Sequence, residues 1–390
     1  MKRTKIAPAP GYTTHNKITL VRGGHDYFSL LIELIEKAKT SIHLHVYIFE
    51  EDETGIAVAN ALVEAARRKV KVYLLFDGYA SRDLSKLFIE NLKNEGIHFR
   101  MFEPVFQTSR FYVGRRMHHK VFVSDSLYSL VGGLNISNRY NDIDGQPAWL
   151  DWALYAEGDI STELLKVLVK LWTKSKVKAR KILEQEPTPP QVKEKCLVRI
   201  RRNDWAQRKT QITNSYFEMF KKATSHITIM SSYFLPGLIF QKELLRACKR
   251  GIDVKLILAG TSDILIAKHA ERYIYRWLFR HNIRVFEYQK SVLHGKLATY
   301  DNEKAILGSY NVNNLSAFAS IELNLDVYDA AFASTLNASL EDIIRNDCIE
   351  ITTEHYTRFS IFSRLIQWSS YFFLRISFYL FTFYWKQNKA

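Results

Sequence analysis

One stretch occurs twice in this chain, and it constrains the fold more than any other feature. Residues 118–135 read HHKVFVSDSLYSLVGGLN, and residues 294–311 read HGKLATYDNEKAILGSYN. Both copies fit the pattern His-x-Lys, four residues, Asp, six residues, Gly-Gly/Ser-x-Asn without a gap. A single His-x-Lys-x4-Asp match carries little weight, since average residue usage produces one in roughly a few per cent of chains. Two gap-free copies with the same glycine-rich tail indicate an internal duplication.

The order of the surrounding segments also repeats. In the first half, a buried strand, a helix and a second buried strand are predicted at 42–49, 56–69 and 70–76. In the second half, the corresponding segments are 227–234, 238–250 and 254–258. Strands that alternate with helices predict an α/β fold in which helices cover both faces of a mostly parallel sheet. We therefore expect two homologous α/β/α domains, with the repeated stretches meeting at their interface.

Composition divides the chain into four segments. The expected boundaries are an N-terminal domain at 1–175, a basic linker at 176–208, a C-terminal domain at 209–355 and a terminal segment at 356–390. The linker contains the basic runs KSKVKARK and RIRRNDWAQRK around the breaker PTPP. Two interpretations of these runs remain open, a solvated connection and a patch that contacts anionic lipid head groups.

Charge favours a polyanionic partner. The 390 residues carry a formal net charge of +15, which suits either nucleic acid or a membrane with anionic lipid. The three cysteines are far apart and form no CxxC pair, so we expect reduced thiols and a protein that faces the cytosol. The basic N-terminus has no apolar core after it and is therefore not a secretory signal.

The C-terminus is dense in aromatic residues. Leu365–Trp385 is long enough to span a membrane, but Arg375 at its middle would cost about 2.5–3.5 kcal/mol on insertion scales. A polar stripe runs along this predicted helix: Ser360, Arg364, Gln367, Tyr371, Arg375, Thr382 and Lys386. We expect an amphipathic helix that lies in the membrane interface, with its rings buried in lipid and its arginines toward phosphates. The alternative is a helix that packs on the core of the protein.

The repeated stretch carries groups suited to phosphoryl chemistry. Its alternating pattern predicts strands, so His118 and Lys120 share one face and His119 points to the other, where we expect a structural role. His294 and Lys296 repeat this arrangement. With one imidazole as the attacking group and the other as the proton donor, two lysines would offset the charge of a phosphoryl group. The chain shows no spacing typical of metal ligands.

The two stretches resemble the paired HKD signatures of the phospholipase D superfamily, and the resemblance covers about residues 15–350. It implies a covalent phosphohistidine and no metal or other cofactor. It also implies that His118 is the nucleophile and that His294 is first general acid and then general base. The phosphate-binding residues would be Lys120, Lys296, Asn135 and Asn311, while the motif aspartates Asp125 and Asp301 would hold the loops.

The superfamily resemblance also implies a further acid that orients each histidine. Asp151, which stands 33 residues after His118, is the candidate in the first half. Glu322, which stands 28 residues after His294, is the candidate in the second half. We therefore expect each acid to serve the histidine of its own half.

Several longer segments narrow the resemblance to bacterial cardiolipin synthases, and among these to the shorter cardiolipin synthase B type without N-terminal spans. These segments are YIFEEDETGIAVANALVEAARRKVKVYLLFDGYAS, RRMHHK with GGLNIS, and YFLPG before VLHGK. The resemblance implies transfer of a phosphatidyl group to phosphatidylglycerol from a second phospholipid, either phosphatidylglycerol or phosphatidylethanolamine. It also implies a peripheral or monotopic enzyme on the cytoplasmic side of the inner membrane.

Three alternatives remain at this point. A hydrolytic phospholipase D would share every catalytic residue and differ only in its acceptor. A nuclease of the same superfamily would suit the positive charge, but the aromatic C-terminus makes a nucleic-acid partner the weaker prediction. A membrane scaffold without activity would have no need for two intact motifs. The oligomeric state stays open.

Overall fold

The structure, a computed structural model, describes residues 11–104, 115–143, 145–313, 316, 320–357 and 360–387, with only the backbone for 378–387. Residues 1–10 of the expected N-terminal domain and residues 388–390 of the expected terminal segment lie outside the described residues. So do the side chains of two members of the predicted polar stripe, Thr382 and Lys386.

The first half of the chain forms strands and helices in alternation. Its elements are β1 (Asn16–Arg22), α1 (His25–Lys37), β2 (Ser41–Val46), α2 (Glu53–Arg67), β3 (Lys71–Asp77), α3 (Lys86–Asn94), β4 (His98–Phe102), β5 (Arg116–Met117), β6 (Lys120–Ser124), β7 (Tyr128–Gly132), β8 (Trp152–Gly158), α4 (Asp159–Thr173) and α5 (Lys176–Leu183).

The second half repeats this order with additions at its end. Its elements are β9 (Leu197–Asp204), β10 (Lys209–Thr210), α6 (Gln211–Lys222), β11 (His226–Ser231), α7 (Leu238–Lys249), β12 (Asp253–Ala259), α8 (Leu265–Arg280), β13 (Arg284–Tyr288), β14 (Lys296–Tyr300), β15 (Lys304–Gly308), β16 (Ser320–Tyr328), α9 (Ala330–Asp347), β17 (Cys348–Ile351), α10 (Thr353–Thr357) and α11 (Ile361–Gln387).

Each half contributes most of one sheet, and the strand pairing is mixed. The seven-stranded first sheet has the order β1-β8-β7-β6-β2-β3-β4, and the ten-stranded second sheet runs β10-β9-β16-β15-β14-β11-β12-β13-β17 with β5 beside β16. Parallel pairs join β2-β3-β4, β11-β12-β13 and β5-β16, whereas the other pairs are antiparallel. The α/β class is confirmed, but the expectation of mostly parallel sheets is wrong. Each repeated stretch forms an antiparallel hairpin, and hairpins need no crossover helix.

The linker expected at 176–208 is partly regular structure. Lys176–Leu183 is a helix, and Leu197–Asp204 is a strand that pairs with β16 along its whole length. Hydrogen bonds fix this strand inside the second sheet, so the connection between the halves is shorter than its composition indicated.

A common hydrophobic core joins the two halves. One cluster includes β6, β8 and α4 from the first half together with β14, β16 and α9 from the second. Two further clusters lie on the outer sides, one between the first sheet and α1 and α2, the other between the second sheet and α6, α7 and α8. Burial of apolar surface between the halves therefore holds the two sheets together at the place where the repeated stretches meet.

The C-terminal helix α11 lies along α8 in an orientation that differs from the expected one. Gln367 and Ser370 are buried, and Tyr371 contacts the ring of Tyr273 on α8. The exposed side is apolar: Ile361, Phe362, Leu365, Trp368, Phe372, Phe373 and Ile376. The middle of the polar stripe thus faces the protein rather than lipid phosphates, because Gln367 is buried and Tyr371 and Arg375 are half-buried, with Arg375 donating to the Tyr371 hydroxyl at 2.6 Å. Ser360 and Arg364, at the start of the stripe, are exposed. No helix among the described residues is long and apolar enough to cross a membrane.

Candidate active site

Backbone hydrogen bonds between the halves bring the two repeated stretches together. The amide of His118 donates to the carbonyl of Ile321 at 3.0 Å, and the amide of His294 donates to the carbonyl of Leu150 at 2.8 Å. Short parallel pairings extend both contacts, since β5 pairs with β16 and Leu150 bridges to Leu293. The two contacts are equivalent, and each places a motif histidine beside the segment that carries the acid of the other half.

Glu322 binds the histidine of the first half. Its Oε2 lies 3.0 Å from Nδ1 of His118, and the carbonyl of Ser309 lies 3.1 Å from the same nitrogen. The carboxylate is wholly buried and also accepts hydrogen bonds from the hydroxyls of Ser309 and Ser320. The Nδ1–H of His118 thus faces two acceptors, and the carboxylate accepts from two hydroxyls. Together these four contacts fix both the carboxylate and the ring.

Asp151 binds the histidine of the second half. Its Oδ2 lies 2.6 Å from Nδ1 of His294, and its Oδ1 accepts the amide of Trp152 at 2.7 Å. The prediction that each acid serves its own half is therefore wrong for both. The reason is the crossed backbone pairing, because the residue before each acid, Leu150 or Ile321, binds the amide of the opposite histidine.

The first pair has the protonation pattern of a nucleophile. Burial lowers the pKa of His118, so its imidazole is neutral at neutral pH. Burial alone would raise the pKa of Glu322, but His118, Lys120 and Ser309 outweigh it and the pKa lies below the usual range. An ionised carboxylate beside a neutral ring accepts Nδ1–H, which leaves the lone pair on Nε2 for attack.

The second pair differs. Burial raises the pKa of Asp151 to about 6, and burial together with the charges of Lys296 and Lys120 holds the pKa of His294 well below its ordinary value. Nε2 of His294 lies 3.5 Å from the hydroxyl of Tyr140. The two histidines thus share a geometry but not an electrostatic environment, and this difference separates their possible roles.

The two motif lysines are buried beside the histidines. Nζ of Lys120 donates to the carbonyl of His118 at 3.0 Å and stands 4.9 Å from the centre of the Tyr47 ring. Nζ of Lys296 lies 2.9 Å from Nδ1 of His294 and also donates to its carbonyl. Burial lowers the pKa of Lys296 to about 8 and that of Lys120 well below its ordinary value. Two desolvated cations of this kind are suited to a bound anion.

The motif asparagines lie close to the histidines but already have partners. Oδ1 of Asn135 accepts the amide of Ile48 at 3.1 Å, and its Nδ2 donates to the hydroxyl of Tyr140 at 2.8 Å. Oδ1 of Asn311 accepts from the hydroxyl of Ser232 at 2.9 Å. In each case the fixed oxygen orients the amide group, so an N–H can point in a defined direction.

The motif aspartates lie away from the histidines. Asp125 and Asp301 follow the far ends of β6 and β14, one strand length from the imidazoles. Asp125 accepts the amides of residues 39–41, and Asp301 accepts those of residues 224–226, at 2.7–3.1 Å. Although their place in the motif puts them with the catalytic set, their contacts are those of loop-holding groups.

Sequence reasoning missed three groups around the site. Tyr140 joins Asn135 to His294, and Ser309 and Ser320 complete the shell of Glu322. The signal for Ser309 was present in the repeat, because a serine stands where the first copy has Gly133. A methyl group at Gly133 would lie 2.4 Å from the Asp151 carboxylate. At the equivalent position of the second copy, the Ser309 hydroxyl donates a hydrogen bond to Glu322.

Two tyrosines mark the neighbourhood of the site. The ring of Tyr47 meets that of His118 edge to face at 4.7 Å, and the hydroxyl of Tyr233 donates to Asp263 at 2.5 Å. Asp263 is exposed and near enough for its charge to act on His294 and Lys296. Within the described ranges no three His, Cys, Asp or Glu side chains are grouped as metal ligands would be.

Comparisons with known proteins agree with this arrangement. The family described as "Cardiolipin synthase, PLD-like domain" matches residues 31–146 and 216–344 of this chain. Cardiolipin synthase B of Salmonella typhimurium is 33% identical over 352 residues, which are 87% of this chain and 83% of that protein. Cardiolipin synthase B of Escherichia coli K12 is 33% identical over 347 residues, 86% of this chain and 82% of that protein.

Solved structures show the same fold. Phosphatidylserine synthase of Haemophilus influenzae has a TM-score of 0.73 at 14% identity, and the match covers 95% of this chain and 96% of that one. The first matched segment contains His118, and the second contains His294. The family match therefore covers both copies of the repeated motif. The chain belongs to the cardiolipin synthase family of phospholipase D-like proteins.

Proposed function

We propose that this protein joins two phospholipids by phosphatidyl transfer, with phosphatidylglycerol as acceptor and phosphatidylglycerol or phosphatidylethanolamine as donor. As a member of its family the chain is a phosphatidyltransferase of the phospholipase D type. The observation that carries the proposal is the pair of buried histidines, each held at Nδ1 by a carboxylate of the other half. The proposal includes the division of the chain into two duplicated domains, with the active site where they meet.

In the first step, Nε2 of His118 attacks the phosphorus of the donor lipid. The bond from phosphorus to Nε2 forms while the bond to the head-group oxygen breaks, and His294 gives its Nε2 proton to that oxygen. A bound phosphodiester brings negative charge among Lys120, Lys296 and His294, which raises the pKa of His294 from its depressed value and lets it carry the proton.

In the second step, His294 acts as the base. A hydroxyl of phosphatidylglycerol gives its proton to Nε2 of His294 while its oxygen attacks phosphorus and the bond to His118 breaks. Cardiolipin forms, and both histidines return to their starting states. Lys120 and Lys296, together with amide hydrogens from Asn135 and Asn311, offset the charge on the phosphoryl oxygens in both steps.

Apolar side chains around the second-half side of the site support a lipid acceptor. Leu238 and Ile239 begin α7, and residues 264–266 precede and begin α8; all are exposed. We call these five residues the apolar rim. Both segments follow the ends of β11 and β12, the edge where Ser232 binds the carbonyl of His294. Apolar residues that stay exposed at such an edge are suited to contact acyl chains.

The outward side of α11 extends this apolar surface. Because α11 lies along α8 and exposes Phe362, Leu365 and Phe373, its rings add to the side of the second half that carries the rim. Burial of aromatic and aliphatic side chains in the acyl boundary would give peripheral attachment, and the net positive charge would add attraction to anionic lipid. We place this attachment on the cytoplasmic side of the inner membrane.

Residence at the membrane also favours transfer over hydrolysis. Lipid hydroxyl groups reach a high local concentration at the interface, and a site covered by lipid holds less water. A hydrolytic phospholipase D is the second candidate, because the catalytic side chains alone are equally suited to attack by water. The rim is the observation that favours transfer.

One assay separates these candidates. Purified protein is given vesicles of labelled phosphatidylglycerol without added metal, beside His118→Ala and His294→Ala variants. We expect cardiolipin and glycerol from the wild type alone. Phosphatidic acid as the sole product would favour the hydrolase, and inert lipid together with cleavage of DNA would overturn both.

A further inference from the structure

A second cationic site lies behind the catalytic histidine of the first half. A cavity of about 400 Å³ opens between β5, α4, α5, β9 and β10. Six basic side chains line it: Arg115, Lys170, Lys174, Lys176, Arg202 and Lys209. Part of this lining belongs to the segment that composition identified as a basic linker.

Carboxylates offset only part of this charge. Arg115 pairs with Asp204 at 3.0 Å, and Lys174 pairs with Glu103 at 2.9 Å. The four other basic groups have no ion pair among the residues that the structure describes. The pKa of Lys209 is lowered by burial and then by the charges of Arg202 and Lys170, so the cations that line the cavity repel one another.

A buried imidazole faces the same cavity without a hydrogen-bond partner among the described residues. His119 is 1% exposed, and neither of its ring nitrogens has a hydrogen-bond partner among the described residues. Burial lowers its pKa to about 3, so the ring is neutral and offers one N–H donor. Buried polar groups are nearly always hydrogen-bonded in folded proteins, and an unmatched donor in a cationic cavity therefore points to a missing acceptor.

The cavity is separate from the catalytic site. His119 lies next to His118 between β5 and β6 and lines the cavity, whereas His118, the motif lysines and the two acids do not. Its volume lies within the range of about 300–1,000 Å³ that is typical of pockets for small molecules. A phosphate group presents several acceptor oxygens at once and suits a cluster of separate donors better than a carboxylate does.

We propose that this cavity is a second anion site, which binds a phosphate-bearing ligand through Arg202, Lys209 and the ring of His119. The ligand is either a free phosphate compound or the head group of an anionic lipid. The cavity is a direct neighbour of the catalytic pair in sequence. Two of its lining residues are His119, which follows His118, and Ile321, which precedes Glu322. The proposal does not depend on the reaction catalysed at the histidines.

The test is a calorimetric titration of the full chain with inorganic pyrophosphate. We expect two sites in the wild type, one catalytic and one in the cavity. The variant Arg202→Gln/Lys209→Gln should keep only the catalytic site, with at least a tenfold loss at the cavity. The matched control is Lys17→Gln/Lys86→Gln, which removes the same charge from exposed positions and should retain both sites.

A second set of variants separates pyrophosphate binding in the cavity from pyrophosphate binding at the catalytic site. In Lys120→Met/Lys296→Met, which lacks both catalytic ammoniums, the remaining pyrophosphate site should disappear on adding Arg202→Gln/Lys209→Gln. The cavity substitutions should not lower the midpoint of thermal unfolding, because they remove cations that repel one another. An equal second site with and without these substitutions would overturn the proposal.

Sedimentation with vesicles distinguishes the two sources of phosphate. A head-group ligand predicts that Arg202→Gln/Lys209→Gln weakens binding to vesicles with phosphatidylglycerol, relative to the lysine control, but leaves binding to phosphatidylcholine vesicles unchanged. A free ligand predicts loss of pyrophosphate binding with unchanged sedimentation. If wild type binds pyrophosphate at one site only and the cavity variant sediments normally, the cavity holds no such ligand.

Discussion

Replacement of Glu322 by glutamine tests the crossed pairing and the assignment of the two histidines together. The substitution keeps the size of the side chain but removes the charge that Nδ1 of His118 faces at 3.0 Å. A glutamine NH₂ group at that position would itself be a donor and would favour the tautomer with hydrogen on Nε2. That tautomer has no lone pair for attack.

The size of the effect follows from the burial of this contact. A hydrogen bond to a charged group contributes about 1.5–3 kcal/mol, or roughly 10- to 150-fold in rate. Loss of the correct tautomer costs up to about 10⁴-fold in hydrolases with a similar His–carboxylate pair. Because the Glu322 side chain is 0% exposed, no water can replace its charge, and we expect a fall of about 10²–10⁴ in kcat.

The assay compares two leaving groups. Phosphatidylglycerol requires a proton on its departing oxygen, whereas phosphatidyl-p-nitrophenol releases a stable phenolate without one. His294→Ala and Asp151→Asn should therefore recover much of the rate at which nitrophenolate is released in the first turnover, although the second step still needs His294 as its base. His118→Ala and Glu322→Gln should not recover, because both act on the attack itself.

The grouping of the four variants decides the outcome. If Glu322→Gln behaves like His294→Ala, and Asp151→Asn behaves like His118→Ala, each acid serves the histidine of its own half and the crossed pairing is refuted. If the pairs hold but His118→Ala is the variant that recovers, the pairing is right and the roles are reversed. The midpoint of thermal unfolding, measured for each variant, separates lost chemistry from lost folding.

Four further predictions concern other parts of the chain. Since the pKa of Lys296 is about 8, kcat/KM should fall above about pH 8 as its ammonium loses a proton, and Lys296→Arg should move that limb upward; a flat profile to pH 10 would contradict this. Asp301→Ala removes three acceptor contacts to backbone amides and should lower the free energy of unfolding in urea by about 1–3 kcal/mol, with turnover of the folded protein retained. Gly133→Ala forces a methyl group against the Asp151 carboxylate and should lower kcat about as much as Asp151→Asn does; normal turnover would refute the contact. Deletion of residues 361–390 should release the protein from sedimenting vesicles, and unchanged sedimentation would refute the attachment by α11.

Much of the local structure was accessible from sequence because the central strands are buried on both faces. The apolar runs at 42–49 and 70–76 became β2 and β3, with each end shifted by one residue except the C-terminal end of β2, which lies three residues earlier. The alternating pattern of the repeated stretches likewise predicted the strands β6 and β14, but not the hairpins that they form. Periodicity reports which residues are buried, and for these strands burial was nearly complete.

Strand order and pairing were less accessible, because they depend on contacts between distant segments. β8 and β9 each pair with strands far from them in the chain, and composition placed β9 in a linker. The partners of Asp151 and Glu322 could not be read from their offsets, since distance along the chain does not show which half an acid faces. The polar stripe of α11 was identified correctly, but its direction depended on how α11 packs along α8, which buries Gln367.

The crossed carboxylates make the reactivity of this chain conditional on its completion. A first half that has folded alone contains His118 but lacks Glu322, so nothing selects the tautomer that attacks. A second half alone likewise contains His294 without Asp151. We therefore expect an incomplete chain to lack a competent nucleophile, which would arise only when the two halves dock.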